Sequence, residues 1–184
     1  MSPPLFLAHL VTTGLGPLYD GILHFLLTPE DILPALALSL FAGLRGPDQG
    51  RRVLFVLPAA WFAGGLLGLA AKVSVHPAMA TASFLIFGGL LASEAKLPIR
   101  ATAALSGLFG LFHGYMNGAP AGGPALGGNA LAGIATTVFV LAALSAGLAA
   151  PLRRPAARIA VRVAGSWIAA IGLLLLGWSL RRGA

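Results

Sequence analysis

The stretch Tyr19-Asp-Gly-Ile-Leu-His-Phe-Leu-Leu-Thr-Pro-Glu-Asp-Ile-Leu33 sets Asp20, His24, Glu30 and Asp31 within twelve positions of an otherwise apolar run. These acids are three of the five in the whole chain. Only 9% of residues are charged and 58% are hydrophobic, so scattered acids would be the default. Ionisable groups at a membrane segment are costly and mark ion or proton handling. Carboxylate oxygen with imidazole nitrogen is also a ligand set suited to divalent first-row metals. The stretch therefore points to a metal-ion site in a membrane protein.

Composition supports the membrane reading. A mean hydropathy of +0.90, with 25 Gly and 13 Pro, lies outside the soluble globular range. Glycine allows close helix approach in bilayers, and proline is tolerated there when neighbours satisfy the freed carbonyls. The apolar runs are continuous rather than alternating, which excludes a β-barrel. At 184 residues the chain forms one transmembrane domain, spanning 1–184. The absence of cysteine removes disulfides, thiolate metal sites and iron–sulfur clusters together. A net charge of +7 would suggest nucleic acid in a soluble protein. Here the basic residues sit in short loops and read as a topology signal, with no nucleic-acid partner. The N-terminus, Met1-Ser-Pro-Pro-Leu5, lacks a basic n-region, so the first apolar segment is expected to stay in the protein.

Seven apolar stretches can be marked, at about 5–27, 31–45, 53–72, 77–94, 98–117, 127–150 and 157–180. The expected fold is an all-α polytopic transmembrane helical bundle of six to seven membrane segments. Its first segment, carrying Gly14, Gly16, Pro17, Asp20 and His24, is broken or partly inserted and leads into the second across Thr28-Pro29. Thr28 is placed to cap the second helix, with Pro29 at its first position. Glu30 and Asp31 then fall in the first turn, where the helix dipole favours acids whether or not they bind anything. Small residues four apart, Gly64/Gly68 and Ser106/Gly110/Gly114, suggest close helix packing.

The basic loops alternate along the chain. Arg45, Arg51 and Arg52, then Lys96 and Arg100, then Arg153, Arg154, Arg158 and Arg162 fall in every second connection, which places those connections in the cytoplasm. Arg181 and Arg182 would end outside, against the rule. The uncharged Gly118–Gly128 loop and Thr28–Asp31 face the other side.

Two constellations carry polar chemistry. Asp20 and His24 are spaced i, i+4, on one helical face. They can share a cation, or simply satisfy each other as a hydrogen-bonded pair. The second is Phe112-His-Gly-Tyr-Met-Asn-Gly118, where His113 and Asn117 repeat that spacing near the same membrane face. An amide oxygen such as that of Asn117 can coordinate a hard cation or hold a water. Two clusters far apart in sequence thus coincide in depth. His9, with no acidic neighbour, reads as structural, and His76 before Pro77 as a turn residue. Glu94 and Lys96 read as surface groups, and Trp61, Trp167 and Trp178 as packing or interface anchors.

The run from His24 to Leu33, with the short apolar helix, Arg-containing loop and Leu57-Pro-Ala-Ala60 that follow, resembles the HupE/UreJ family. These are hydrogenase and urease accessory membrane proteins regarded as nickel or cobalt permeases. Their first motif has a histidine followed by an Asp-His pair; their second reads roughly Phe-His-Gly-x-x-His-Gly-x-Glu. His24 matches the first histidine, and Glu30 and Asp31 occupy the Asp-His positions. Phe112, His113, Gly114 and Gly118 match the second motif. Asp31 and Asn117 stand where the family has histidine, and Pro120 where it has glutamate. The variant site has fewer imidazoles and more oxygen ligands, which weakens nickel binding relative to a His-rich site and leaves room for cobalt or a harder ion.

The resemblance implies a secondary permease in a bacterial inner (plasma) membrane, not an enzyme. Its substrate would be a divalent metal ion, nickel or cobalt, held by Asp20, His24, Glu30, Asp31, His113 and Asn117 near the outer face. No organic cofactor is implied. The partners expected are the lipid bilayer and the metal ion, with a homo-oligomer left open. Two other readings are an intramembrane metal-dependent hydrolase, which no His-Glu-x-x-His or Gly-x-Ser-x-Gly motif supports, and a scaffold whose polar residues only pack helices. The orientation is testable by itself. Cysteines introduced at Ala121 and Gln49 are expected to react with an impermeant thiol reagent from outside only at Ala121. Equal labelling, or labelling at Gln49 alone, would overturn the arrangement.

Overall fold

In a computed structural model, residues 13–71, 73, 78–119 and 126–183 are described. His9, His76, Lys72 and Pro120 lie outside them, as does most of the loop before Gly128. The described residues form seven helices and no strand: α1 (Pro17–Leu27), α2 (Pro29–Leu44), α3 (Pro47–Ala71), α4 (Ala78–Ser93), α5 (Ile99–Gly118), α6 (Gly128–Ala149) and α7 (Pro155–Gly183). The all-helical expectation holds. Each apolar stretch has its helix, but α3 starts before its stretch does. Pro47 opens it and Asp48 lies in its first turn, so helix-start chemistry overrides the charge of Arg51 and Arg52.

By length and apolarity, three helices among the described residues can cross a bilayer, α3, α6 and α7. A fourth span arises if α1 and α2, bent by 75° at their junction, count as one. Alone, α1 has 11 residues and is about 16 Å long, half a hydrocarbon core. The break expected at Thr28-Pro29 is present: Thr28 is extended and Pro29 begins α2. The Thr28 side chain does something else, however. Its hydroxyl donates to the His24 carbonyl at 2.6 Å and makes no cap bond to α2. It closes the end of α1, satisfying a carbonyl that α1 would otherwise leave open. At the other end of α1, Gly16 holds φ +106°, a left-handed conformation costly for any other residue.

The Arg-bearing connections gather at one end of the bundle. Gln49 at the start of α3 donates to the Leu97 carbonyl at 3.1 Å and accepts from the Thr102 hydroxyl at 2.8 Å. Arg158 reaches Glu94 at 2.5 Å, and Arg162 donates to the Ala92 carbonyl at 2.9 Å. Glu94, read from sequence as a surface group, therefore ties the α4–α5 connection to α7. It does so from a positive φ of 49°.

Small residues set the helix spacing, as their periodicity implies. A Cβ added at Gly64 or Gly68 of α3 would fall on the Leu111 or Tyr115 carbonyl of α5. One added at Gly114 would fall on the Trp61 carbonyl, and one at Gly133 of α6 on the Leu18 carbonyl of α1. Between these seams the interior is filled by Phe25, Phe41, Trp61, Phe84 and Leu131, among others. Gly114→Ala is expected to destabilise the purified protein by about 1–3 kcal/mol, the usual cost of overpacking. Gly147→Ala, where a Cβ meets nothing within 4 Å, is expected to be neutral or slightly stabilising. Thermal unfolding of both variants in the same detergent checks the contrast.

Candidate metal-handling site

Counting along the helices from the basic end, Asp31 lies 13 residues from Leu44, Trp61 lies 14 from Pro47, and His113 lies 14 from Ile99. At 1.5 Å per residue each is about 20 Å in, at one depth. There the side chains meet. Asp31 is 3% exposed and His113 1% exposed. His113 Nδ1 lies 2.7 Å from Asp31 Oδ1. Asn117 Nδ2 donates to Asp31 Oδ2 at 3.0 Å, and Trp61 Nε1 donates to Asn117 Oδ1 at 2.9 Å. One continuous polar chain thus runs from α3 through α5 to α2 and back to α5.

Both oxygens of the carboxylate are engaged, which is what a carboxylate withdrawn from water requires. A carboxylate oxygen accepts, so the tautomer with its proton on Nδ1 is the one that donates to Asp31, and that tautomer presents its lone pair at Nε2. That Nε2 is buried and, among the described residues, has no hydrogen-bond partner. Around the ring stand Phe109, Phe112 and Trp61, with centroids 4.4, 5.4 and 5.5 Å away. Phe25 of α1 packs edge-on against Trp61 at 5.5 Å. The imidazole is thus fixed by a carboxylate on one nitrogen and free to act as a ligand on the other, the arrangement in which a second-shell acid orients a metal-binding histidine.

The other residues marked in the sequence stand apart from this chain. Asp20 is bonded to Thr13, whose N–H and hydroxyl donate to Oδ1 at 2.6 and 2.7 Å, and not to His24. The short loop before α1 offers a donor pair that a helical i+4 imidazole does not match. His24 is half-buried, and its main-chain carbonyl takes the Thr28 bond. Glu30 is exposed. It adjoins Asp31 in the first turn of α2, but consecutive helical residues point about 100° apart, so only one of the pair can face the bundle. Among the described residues, no three His, Asp or Glu side chains are grouped closely enough to hold one ion. The structure brings together Asp31, His113 and Asn117.

Trp61, read from sequence as a packing or interface anchor, is fully buried and is also a member of the polar chain. Its signal was physical rather than patterned: a buried indole N–H requires an acceptor, and this apolar interior offers few. Trp167 and Trp178, 69% and 60% exposed, stand on the outer surface of α7, as interface anchors do.

A family model described as HupE / UreJ protein matches residues 1–175, and the chain belongs to that family. No curated protein and no solved structure matches it. With its long apolar helices, it is an integral membrane protein.

Removing one member of the polar chain leaves its partners buried and unpaired. His113→Ala and Asp31→Ala are each expected to destabilise the protein by about 3 kcal/mol. The double variant should cost less than their sum by about 1–3 kcal/mol, the coupling expected of groups in contact. Glu30→Ala should stay within about 0.5 kcal/mol of the parent. Additive losses in a thermal-unfolding cycle would show that the pair is not coupled.

Proposed function

We propose that this HupE/UreJ protein is a secondary permease for a divalent transition-metal ion, nickel or cobalt, in a bacterial inner membrane, and that Asp31 and His113 are the pair the ion passes. The observation that carries this is the buried Asp31–His113 contact, with Nε2 unpartnered among the described residues, in a chain of that family. A buried carboxylate and imidazole serve no packing need that apolar residues would not meet at lower cost.

Both side chains change protonation or partner when they take a cation, because imidazole binds metal only without its proton at the ligating nitrogen. Asp31 would either keep orienting His113 or turn an oxygen to the ion, and Asn117 would hold whichever oxygen remains. Further ligands would come from the two sides of the α1–α2 break, where Asp20 and His24 lie on α1 and Glu30 in the first turn of α2. No nucleotide-binding motif is present, so the driving force is an ion gradient or the membrane potential. At about 100 mV a divalent ion moving inward gains roughly 4.6 kcal/mol, twice the single-charge value. That suffices for uptake without ATP.

Uptake of radioactive nickel and cobalt into proteoliposomes carrying an inside-negative potential tests the reading. The parent should accumulate one of the two ions. Asp31→Asn and His113→Gln should lower the rate at least tenfold, a loss typical of disturbing a metal ligand or its orienting partner. Full activity in His113→Gln would overturn the assignment of the pair. Metal that binds stoichiometrically and is never moved would overturn the permease and favour an intramembrane hydrolase.

A further inference from the structure

At the basic end, outside the polar chain just described, α3 and the first turn of α5 enclose an open cleft of about 490 Å³. It is lined by Asp48, Arg51, Arg52, Phe55, Val56 and Ile99. The five α3 residues share one helical face, since 48, 52 and 55–56 recur at three- and four-residue steps. The lining is graded along the helix axis. Charged groups stand at the mouth, and one turn deeper the walls become Phe55, Val56 and Ile99.

Phe55 is 62% exposed, with Phe139 of α6 at 6.1 Å beside it. Asp48 is engaged by Arg51, at 2.5 Å, in a pair whose side chains are 71% and 75% exposed. Such a pair contributes little and is readily exchanged for a better acceptor. Among the described residues Arg52 has neither a hydrogen bond nor an ion pair, and exposed Arg100 follows Ile99 on α5. The cleft therefore holds two arginines against one carboxylate, above an apolar floor. It lies where α3 passes from connecting loops into its apolar span.

We propose that this cleft is a binding site for an anionic phospholipid. The phosphate would sit between Arg51 and Arg52, in the bidentate geometry that guanidinium groups favour. The first acyl carbons would lie along Phe55, Val56 and Ile99. Charge complementarity selects the anionic headgroup, and the apolar floor selects a lipid over free phosphate. The occupant would brace the start of α3, the helix that supplies Trp61 to the polar chain. The cleft would serve this purpose whichever ion the chain moves.

Native mass spectrometry of the detergent-solubilised protein, titrated with phosphatidylglycerol, phosphatidylcholine or glycerol phosphate, tests the site. Phosphatidylglycerol should be retained, with phosphatidylcholine at least tenfold weaker and glycerol phosphate not competing at equal concentration. Arg51→Gln and Arg52→Gln should each weaken retention about fivefold, the factor corresponding to about 1 kcal/mol per basic residue at a membrane surface. Phe55→Ser should weaken it while leaving all charges in place. Arg153→Gln with Arg154→Gln removes two charges at the same end outside the cleft and should leave retention unchanged. Equal losses in that control would reduce the effect to diffuse surface charge and overturn the site. Full competition by glycerol phosphate would overturn the lipid assignment in favour of a phosphate site.

Discussion

A carboxylate buried among apolar helices must have both oxygens hydrogen-bonded, and that requirement organises the interior of this protein. Asp31 accepts from His113 and from Asn117, four residues further along α5. A single helical face thus supplies both donors, and α2 is locked to α5 in one register. Asn117 can hold its amide in the needed orientation because Trp61 occupies its carbonyl oxygen. Remove the carboxylate, and the histidine, the amide and the indole all lose their reason for pointing where they do.

Such a chain can form only if the backbones approach closely enough for short side chains to reach across. The seam between α3 and α5 provides this. Gly114 lies beside the Trp61 carbonyl and Gly110 beside the Leu57 carbonyl, so the two helices are nearly in backbone contact on both sides of His113. Without an apolar driving force between helices inside a bilayer, close packing and interhelical hydrogen bonds carry association. The glycines and the polar chain are two parts of one solution, because the first sets the distance that the second spans.

Much of this was legible in the sequence, for definite reasons. Pro29 was read as the start of a helix because a missing N–H costs nothing at a first position, and Pro17, Pro47 and Pro155, where the apolar stretches gave no such boundary, open helices for the same reason. The shared depth of Asp31 and His113 followed from the alternation of arginine-bearing loops, and the two side chains do meet. Periodicity could not say which acid of Glu30 and Asp31 faces inward, since the stretch is apolar on all sides. The Asp20–His24 spacing suggested a pair, but Thr13 lay seven residues back in an irregular segment that no helical spacing rule covers. Glu94 looked like a surface charge because its partner, Arg158, is 64 residues away. Long-range pairings of single polar groups leave no periodic trace, which is also why Trp61 was read as a packing or interface anchor and not as a partner of Asn117.

The two ends of the bundle use charge in opposite ways, and α2 joins them. At the basic end, charged groups stay near water and bind loops together through Glu94–Arg158 and the Arg162 contact with the Ala92 carbonyl. About 20 Å away along the helices, Asp31 is withdrawn from water and has both oxygens bonded. Helix α2 begins at the buried acid and ends where Gly43 meets Ala146 of α6 at the basic end. Its other end is joined to α1 by the 75° bend at Thr28. Thr28 closes α1 with its hydroxyl and starts α2 with its carbonyl, which accepts from the Asp31 and Ile32 amides at 3.0 and 3.1 Å, so one residue ends one helix and opens the next. Asp31, in the second position after Pro29, is held through its main chain by the Thr28 carbonyl and through its side chain by α5. The break is therefore more than an imperfection in a short helix: it sets the first turn of α2, and with it Asp31, at the depth where α5 supplies both of the carboxylate's donors.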